Sequence, residues 1–321
     1  MSVQDPKAID GNTWEVQIEG DGEFVRKPTS FHGQIKRDGT TSFLAEGGRY
    51  HLYVSLACPW AHRTLIVRKL KGLEDVISVD VVDPLLDSRG WSFEQSAAGA
   101  TGDRVGGRSL LREVYVASAP DYEGAITVPV LWDRKSETIV NNESSEIIRM
   151  QNSEFNELAR HPEFDLYPEP LRSEIDELND WIYPEINNGV YRCGFARKQE
   201  AYSSAVQTLF AALDRVEAIL EHRRYLCGDR LTEADVRLFT TLVRFDPVYM
   251  THFKCNVRRL VDYPNLWGYV REIFQLPGVA GTVSLEHIKR HYFESHRHIN
   301  PFGIVPEGPK VDFTVPHDRS V

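Results

Sequence analysis

The stretch Cys58-Pro59-Trp60-Ala61-His62 holds the residue types with the most evident chemistry in this sequence. Pro59 suits the first turn of a helix, where its missing N–H costs nothing. A cysteine just ahead of that turn faces free backbone N–H groups and the positive end of the helix dipole, which favour an anion. The position therefore predicts a lowered thiol pKa and a reactive thiolate. Residue 61 is Ala, so Cys58 has no second cysteine at Cys-x-x-Cys spacing and cannot close its own disulfide by that route. A mixed disulfide formed there needs an external thiol to release it, which is monothiol chemistry. The competing reading is a buried structural cysteine. It is the better one for Cys193, Cys227 and Cys255, which lack such a context. His62, one turn on, either supports the thiolate or packs beneath it.

Three other groups of residues carry chemistry. Val128-Pro129 opens an apolar strand-like run, and a proline there cannot donate to a ladder. Pro129 is a candidate cis-proline that would turn the Val128 N–H and C=O toward an extended peptide; a plain edge-strand proline is the alternative. Glu143-Ser144 stands at a helix start, where a hydroxyl and free N–H groups suit a carboxylate ligand and Glu143 suits an amino group. Simple N-capping is the alternative. His287 and His291 lie four apart with His296 and His298 nearby, a spacing that can bind zinc. No acidic third ligand falls at a recognised spacing, so solvated or pocket-rim histidines are the preferred reading and no metal is expected.

The elements around these residues follow from pattern. Tyr50 to Leu56 alternates and is rich in strand formers. A helix after Cys58 runs through Leu65, Ile66, Val67 and Leu70 and stops at Gly72. Val76 to Val82 reads as a second strand, and strand–helix–strand predicts a right-handed parallel unit. From Asp83 to Gly124 the pattern weakens, and a structureless loop of about 40 residues is often functional. Thr127 to Trp132 and Thr138 to Val140 read as a hairpin, and Glu143 opens a helix through Met150. Residues 154–170, with His161-Pro162, Tyr167-Pro168 and Glu169-Pro170, form the best linker. Beyond it the period is helical: Ala205, Leu209, Leu213, Val216 and Leu220 share one face, and Thr232 with Asp235 marks a capped helix start.

Length and composition bound the class. The chain has 321 residues, 41% hydrophobic and 26% charged, with a net charge of -10, which suggests two domains. The acidic balance argues against a nucleic-acid partner and favours a small-molecule one. The four cysteines show no zinc spacing, Met1 to Trp14 gives no signal-peptide pattern, and no apolar run is long enough to span a membrane. A reducing cytoplasm is the consistent setting.

Taken together, Cys58-Pro-Trp-Ala-His62, Thr127-Val-Pro-Val-Leu-Trp-Asp133, Ile139-Val-Asn-Asn-Glu-Ser-Ser-Glu-Ile-Ile-Arg-Met150 and Asn300-Pro-Phe-Gly-Ile-Val-Pro306 resemble the glutathionyl-hydroquinone reductases, the xi class of glutathione transferases. The resemblance runs from about residue 23 to about residue 309. It implies an α/β plus all-α chain, a thioredoxin-like N-terminal domain followed by a helical C-terminal domain. The limits would be an extension at 1–48, a glutathione-binding domain at 49–160 with an insertion at about 84–124, helices at 161–295 and a tail at 296–321. Cys58 would be the nucleophile. Trp91 would contact glutathione, Val128 would pair with its cysteinyl backbone, and Glu143 and Ser144 would hold its γ-glutamyl end. Tyr191 and Tyr292 would line the aromatic pocket and hydrogen-bond or protonate the departing hydroquinone. Glutathione would be the co-substrate, glutathionyl-hydroquinones the substrates and a homodimer the assembly. Two departures stand out: Ala125 where a basic residue is expected, so another Arg or Lys must neutralise the glycyl carboxylate, and Phe293 where a second tyrosine is common. A broader omega-like thiol transferase or dehydroascorbate reductase, and a non-catalytic binder of glutathione or aromatic ligands, are the alternatives.

Overall fold

A computed structural model describes residues 20–319; the part of the expected extension before residue 20 lies outside the described residues. The rest of that extension is irregular apart from a short parallel pair, β1 (Ile35–Lys36) and β2 (Phe43–Leu44). It lies against the body of the protein through buried Phe24 and Ile35. At Gly33 the two backbones nearly touch: its N–H donates to the Val140 carbonyl at 2.8 Å, and a Cβ would sit 2.6 Å from that oxygen.

β3 (Tyr50–Val54) is buried along its whole length. α1 (Pro59–Leu70) follows, and Gly72, at φ +66°, ends the helix in a conformation a side chain would strain. β4 (Ile77–Val81) then pairs parallel with β3. The next segment is not structureless. It holds a small hairpin, β5 (Leu86–Asp87) with β6 (Gly90–Trp91), and an eight-residue helix, α2 (Leu111–Ser118). Only Leu111, Val114 and Tyr115 of α2 are buried, a stripe too short to stand out as a period amid Gly and Ser. β7 (Val130–Asp133) and β8 (Thr138–Asn141) form the expected antiparallel hairpin. The strand starts at Val130, so Val128 and Pro129 lead into it rather than belong to it. The sheet order is β4-β3-β7-β8, and α3 (Ser144–Ser153) packs beside α1.

Past the proline-rich 154–170 stretch the chain is helical: α4 (Arg172–Ile182), α5 (Gly189–Phe195), α6 (Gln199–His222), α7 (Glu233–Leu242), α8 (Met250–His252), α9 (Pro264–Gln275) and α10 (Leu285–Arg290). A wide π-type turn, Phe245–Tyr249, joins α7 to α8, and another, His291–Ser295, follows α10. All five apolar positions expected on one face of α6 are buried. Each Leu or Val there contributes about 1.5–3 kcal/mol of burial. α7 starts as its sequence implies: the Asp235 carboxylate accepts from the Thr232 N–H and hydroxyl, both at 2.8 Å, and also from the Leu226 N–H and the Tyr269 hydroxyl. One apolar cluster fills the sheet domain and a second fills the helical domain, with Ile66, Val67 and Leu70 of α1 belonging to the second. α1 is thus the shared wall between the domains, and Cys58 stands at its head. Among the described residues no helix is long and apolar enough to cross a membrane.

Candidate active site

Cys58 caps α1. Its sulfur accepts from the Ala61 N–H at 3.5 Å and donates to the Val128 carbonyl at 3.4 Å. The lowered pKa expected from the helix end does not hold in this arrangement: burial pushes the Cys58 thiol up. The Ala61 N–H, the Arg244 charge, the Trp60 N–H and the Arg26 charge pull the other way without overcoming it. Sequence shows the helix end but not the apolar walls around the sulfur, and those walls decide the balance.

The thiol opens onto a cavity of about 580 Å³ that Trp91, Val128, Glu143, Ser144, Tyr191 and Tyr292 also line. All the candidate site residues read from sequence therefore border one space. The Val128–Pro129 peptide bond is cis, and the Val128 carbonyl faces the sulfur. Glu143, not Ser144, is the N-cap of α3: its carboxylate accepts from the Ser145 N–H and hydroxyl at 3.0 Å. The Ser144 hydroxyl is held by buried Arg63 at 3.2 Å. Thr29 of the extension donates to Glu143 at 3.3 Å. This end of the cavity offers a carboxylate, a hydroxyl and a helix N-terminus, a set that suits a group carrying both an amine and a carboxylate.

The opposite side is aromatic. Trp91, placed by the β5–β6 hairpin, stacks on His291 with centroids 4.9 Å apart. His291 donates from Nδ1 to the Pro84 carbonyl at 3.0 Å, and burial pulls its pKa down to about 4. Its Nε2 is therefore a bare acceptor at neutral pH. Tyr191, from α5, and Tyr292, from the turn after α10, meet hydroxyl to hydroxyl at 2.5 Å. A third phenol, Tyr249, reaches Tyr292 at 3.0 Å. Burial raises all three, Tyr249 to about 12 and the others well above the usual phenol range. They keep their protons at neutral pH, so their hydroxyls are available as hydrogen-bond donors.

Several participants have no signal in the local sequence. Tyr249 is one. Arg26 is another: its guanidinium lies 3.9 Å over the Trp60 ring and 5.0 Å over Tyr191. Arg26 and Lys27 are the Arg and Lys side chains that line the cavity, and both come from the extension. His62 does not turn to the sulfur; it hydrogen-bonds Arg244 and Thr282. Two more histidines of the C-terminal group have partners: His287 meets the Ala98 carbonyl and His296 meets His252. Among the described residues no group of three or more His, Cys, Asp or Glu side chains could hold a metal ion.

Known proteins share this two-domain fold. The model of the glutathione S-transferase N-terminal domain matches residues 57–154, and that of the C-terminal domain matches residues 199–272. The chain is 54% identical to the glutathionyl-hydroquinone reductase YqjG of Escherichia coli, over 98% of both chains. The glutathione-bound structure of YqjG superposes with a TM-score of 0.88 at 55% identity, covering 93% of this chain and 97% of that one. The glutathione transferase Xi of Phanerochaete chrysosporium superposes with a TM-score of 0.90 at 54% identity, covering 94% and 97%. With a cysteine-headed thioredoxin-like domain, a helical second domain and these relatives, the chain belongs to the glutathione transferases, among the xi-class glutathionyl-hydroquinone reductases.

Proposed function

We propose that this protein reduces glutathionyl-hydroquinones to hydroquinones, with glutathione as co-substrate and Cys58 as nucleophile. The observation that carries the reading is one cavity bordered by the Cys58 thiol, by the Glu143 carboxylate and Ser144 hydroxyl at the head of α3, and by the Tyr191 and Tyr292 phenols. Glutathione suits this cavity: its γ-glutamyl group on Glu143 and Ser144, its cysteinyl backbone along Val128, and Trp91 touching it from the insertion. The hydroquinone ring then falls among the tyrosines.

Glutathione also explains how a raised thiol becomes reactive. In this structure the Cys58 thiol donates a hydrogen bond to the Val128 carbonyl. A cysteinyl N–H that takes this carbonyl removes the thiol's acceptor and leaves the donors and charges that favour the thiolate. The thiolate attacks the glutathione sulfur of the conjugate. A sulfur–sulfur bond forms, the sulfur–ring bond breaks, and its electron pair passes to the ring carbon, which takes a proton from the Tyr191–Tyr292 pair. A second glutathione gives up its proton and attacks the mixed disulfide. Oxidised glutathione leaves, Cys58 returns as thiolate, and the released proton replaces the one given to the ring. This is covalent catalysis with a ping-pong signature.

Turnover of a glutathionyl-hydroquinone with added glutathione, wild type beside Cys58→Ala, tests the assignment. Hydroquinone release by the wild type and its loss in the variant are expected. Faster turnover of small disulfides or dehydroascorbate than of the conjugate would instead favour the thiol-transferase reading, and an unimpaired Cys58→Ala would remove Cys58 from the mechanism. We further infer a homodimer in a reducing cytoplasm. Four free cysteines and the exposed Phe302 and Ile304 support this, and light scattering at twice the chain mass is the expected result.

A further inference from the structure

Arg244 is fully buried, and its charge is one of those that favour the Cys58 thiolate. It follows the last turn of α7, where its Nη1 donates to the Thr240 carbonyl at 2.6 Å. The rest of the guanidinium crosses to the other domain. Nε donates to the Ala57 carbonyl at 2.8 Å, Nη2 to the Leu56 carbonyl at 3.0 Å, and Nη1 to His62 Nδ1 at 3.1 Å. Those three acceptors bracket Cys58: two carbonyls directly ahead of it and one imidazole a turn behind it. A rigid fork that grips both flanks of a turn fixes the residue between them, which a lysine could not do.

The charge is as informative as the geometry. Because Arg244 can only donate, His62 Nδ1 must be an acceptor, so His62 is neutral, with its Nε2 proton directed to the Thr282 hydroxyl at 2.8 Å. The fork's other partners are carbonyls. Among the described residues no carboxylate forms an ion pair with Arg244. A buried cation without a buried anion is unfavourable, and a fold that keeps one beneath a cysteine has a use for its field. Burial and the Arg244 charge together hold His62 well below its usual range, and the same charge draws Cys58, Tyr249 and Tyr292 toward their ionised forms.

We propose that Arg244 is the positioning residue for Cys58: its fork locks the 56–62 turn onto the helical domain, and its unmatched buried charge is the counter-charge of the Cys58 thiolate. The proposal rests on Cys58 being the reactive thiol. It does not depend on which substrate that thiol serves. It also makes the helical domain a direct contributor to thiol chemistry, since Arg244 leads into the turn that carries Tyr249.

The test is the pH dependence of Cys58 alkylation by iodoacetamide, with the labelled site located by mass spectrometry, in wild type, Arg244→Gln and Arg244→Lys. The other titratable groups around Cys58 are Arg26 of the extension, Arg63 of α1 and the phenols Tyr191 and Tyr249, with neutral His62 bonded to Arg244; all are retained in the variants. Arg244→Gln is expected to raise the alkylation midpoint by about one pH unit and to slow alkylation at fixed pH about tenfold. Arg244→Lys keeps the charge and should hold the midpoint near that of the wild type. A folded Arg244→Gln with the wild-type midpoint would overturn the proposal. If Arg244→Gln does not fold, Arg244→Lys decides: a midpoint raised by a full unit in that variant overturns the counter-charge, and a wild-type midpoint supports it. Alkylation needs no glutathione conjugate, so a chain that reduced no glutathionyl-hydroquinone would refute the proposed function and leave this result standing.

Discussion

The sulfur of Cys58 is pulled in two directions, and the residues around it differ in how visible they are from sequence. Its neighbours along the chain, Pro59 and Ala61, announce a lone thiol at a helix head. The groups that set its reactivity approach from far away: the Val128 carbonyl is 70 residues on and Arg244 is 186. A motif can report the first kind and not the second, which is why the helix end alone implies a lowered pKa that the buried thiol does not have. Tyr249 is equally silent in sequence. Its hydroxyl lies 3.0 Å from that of Tyr292, behind the Tyr191–Tyr292 pair. Removing that hydroxyl takes one hydrogen-bond partner from the Tyr292 phenol, a loss of about 1 kcal/mol. Tyr249→Phe should therefore lower kcat roughly fivefold while leaving the KM for glutathione unchanged, because Tyr249 lies at the aromatic end. Steady-state kinetics with both substrates varied would show it, and an unaltered kcat would place Tyr249 outside the proton path.

Elements are legible where their signal is longer than the noise around it. α1, β3, β4, the β7–β8 hairpin and α6 all have a period or a cap that survives in the bare sequence. α2 does not: only three of its eight residues are buried. The β5–β6 hairpin has two residues per strand, below the length at which alternation can be counted. Both lie in the insertion, and both matter to the site. β6 carries Trp91 to its stack on His291, and the Tyr115 hydroxyl of α2 donates to the Thr127 carbonyl at 2.8 Å, steadying the residue before Val128. Tyr115 also accepts from Asn142 at 3.1 Å, so one buried phenol joins the approach to Pro129 with the approach to Glu143. A segment with weak pattern and dense long-range bonding is read as loop from sequence and acts as scaffold in the fold.

At the scale of the whole molecule the two domains and the last turns of the chain converge on a set of buried histidines. His291 joins the turn after α10 to the Pro84 carbonyl of the insertion, and His252 of α8 joins His296 beyond that turn at 3.1 Å. Burial draws His291 down to about 4 and His252 to about 3, while an unfolded histidine titrates near the ordinary value of about 6.5. The folded chain thus refuses protons that the unfolded chain accepts. Stability from these groups is complete above about pH 6.5 and is lost as pH falls from there toward the folded values. Between about pH 7.5 and about pH 5 each of the two contributes a loss of about 2 kcal/mol. Buried His62 and His296 are lowered for the same reason and add in the same direction. Urea unfolding at the two pH values should show a midpoint that falls steeply on acidification, well before the carboxylates titrate. His252→Gln should flatten the fall by about its own 2 kcal/mol share, whatever it does to stability at neutral pH. A midpoint that stays constant across this window would mean that these imidazoles take up protons as readily in the folded chain as in the unfolded one, and the seam they form between helices, insertion and tail would then need a different account.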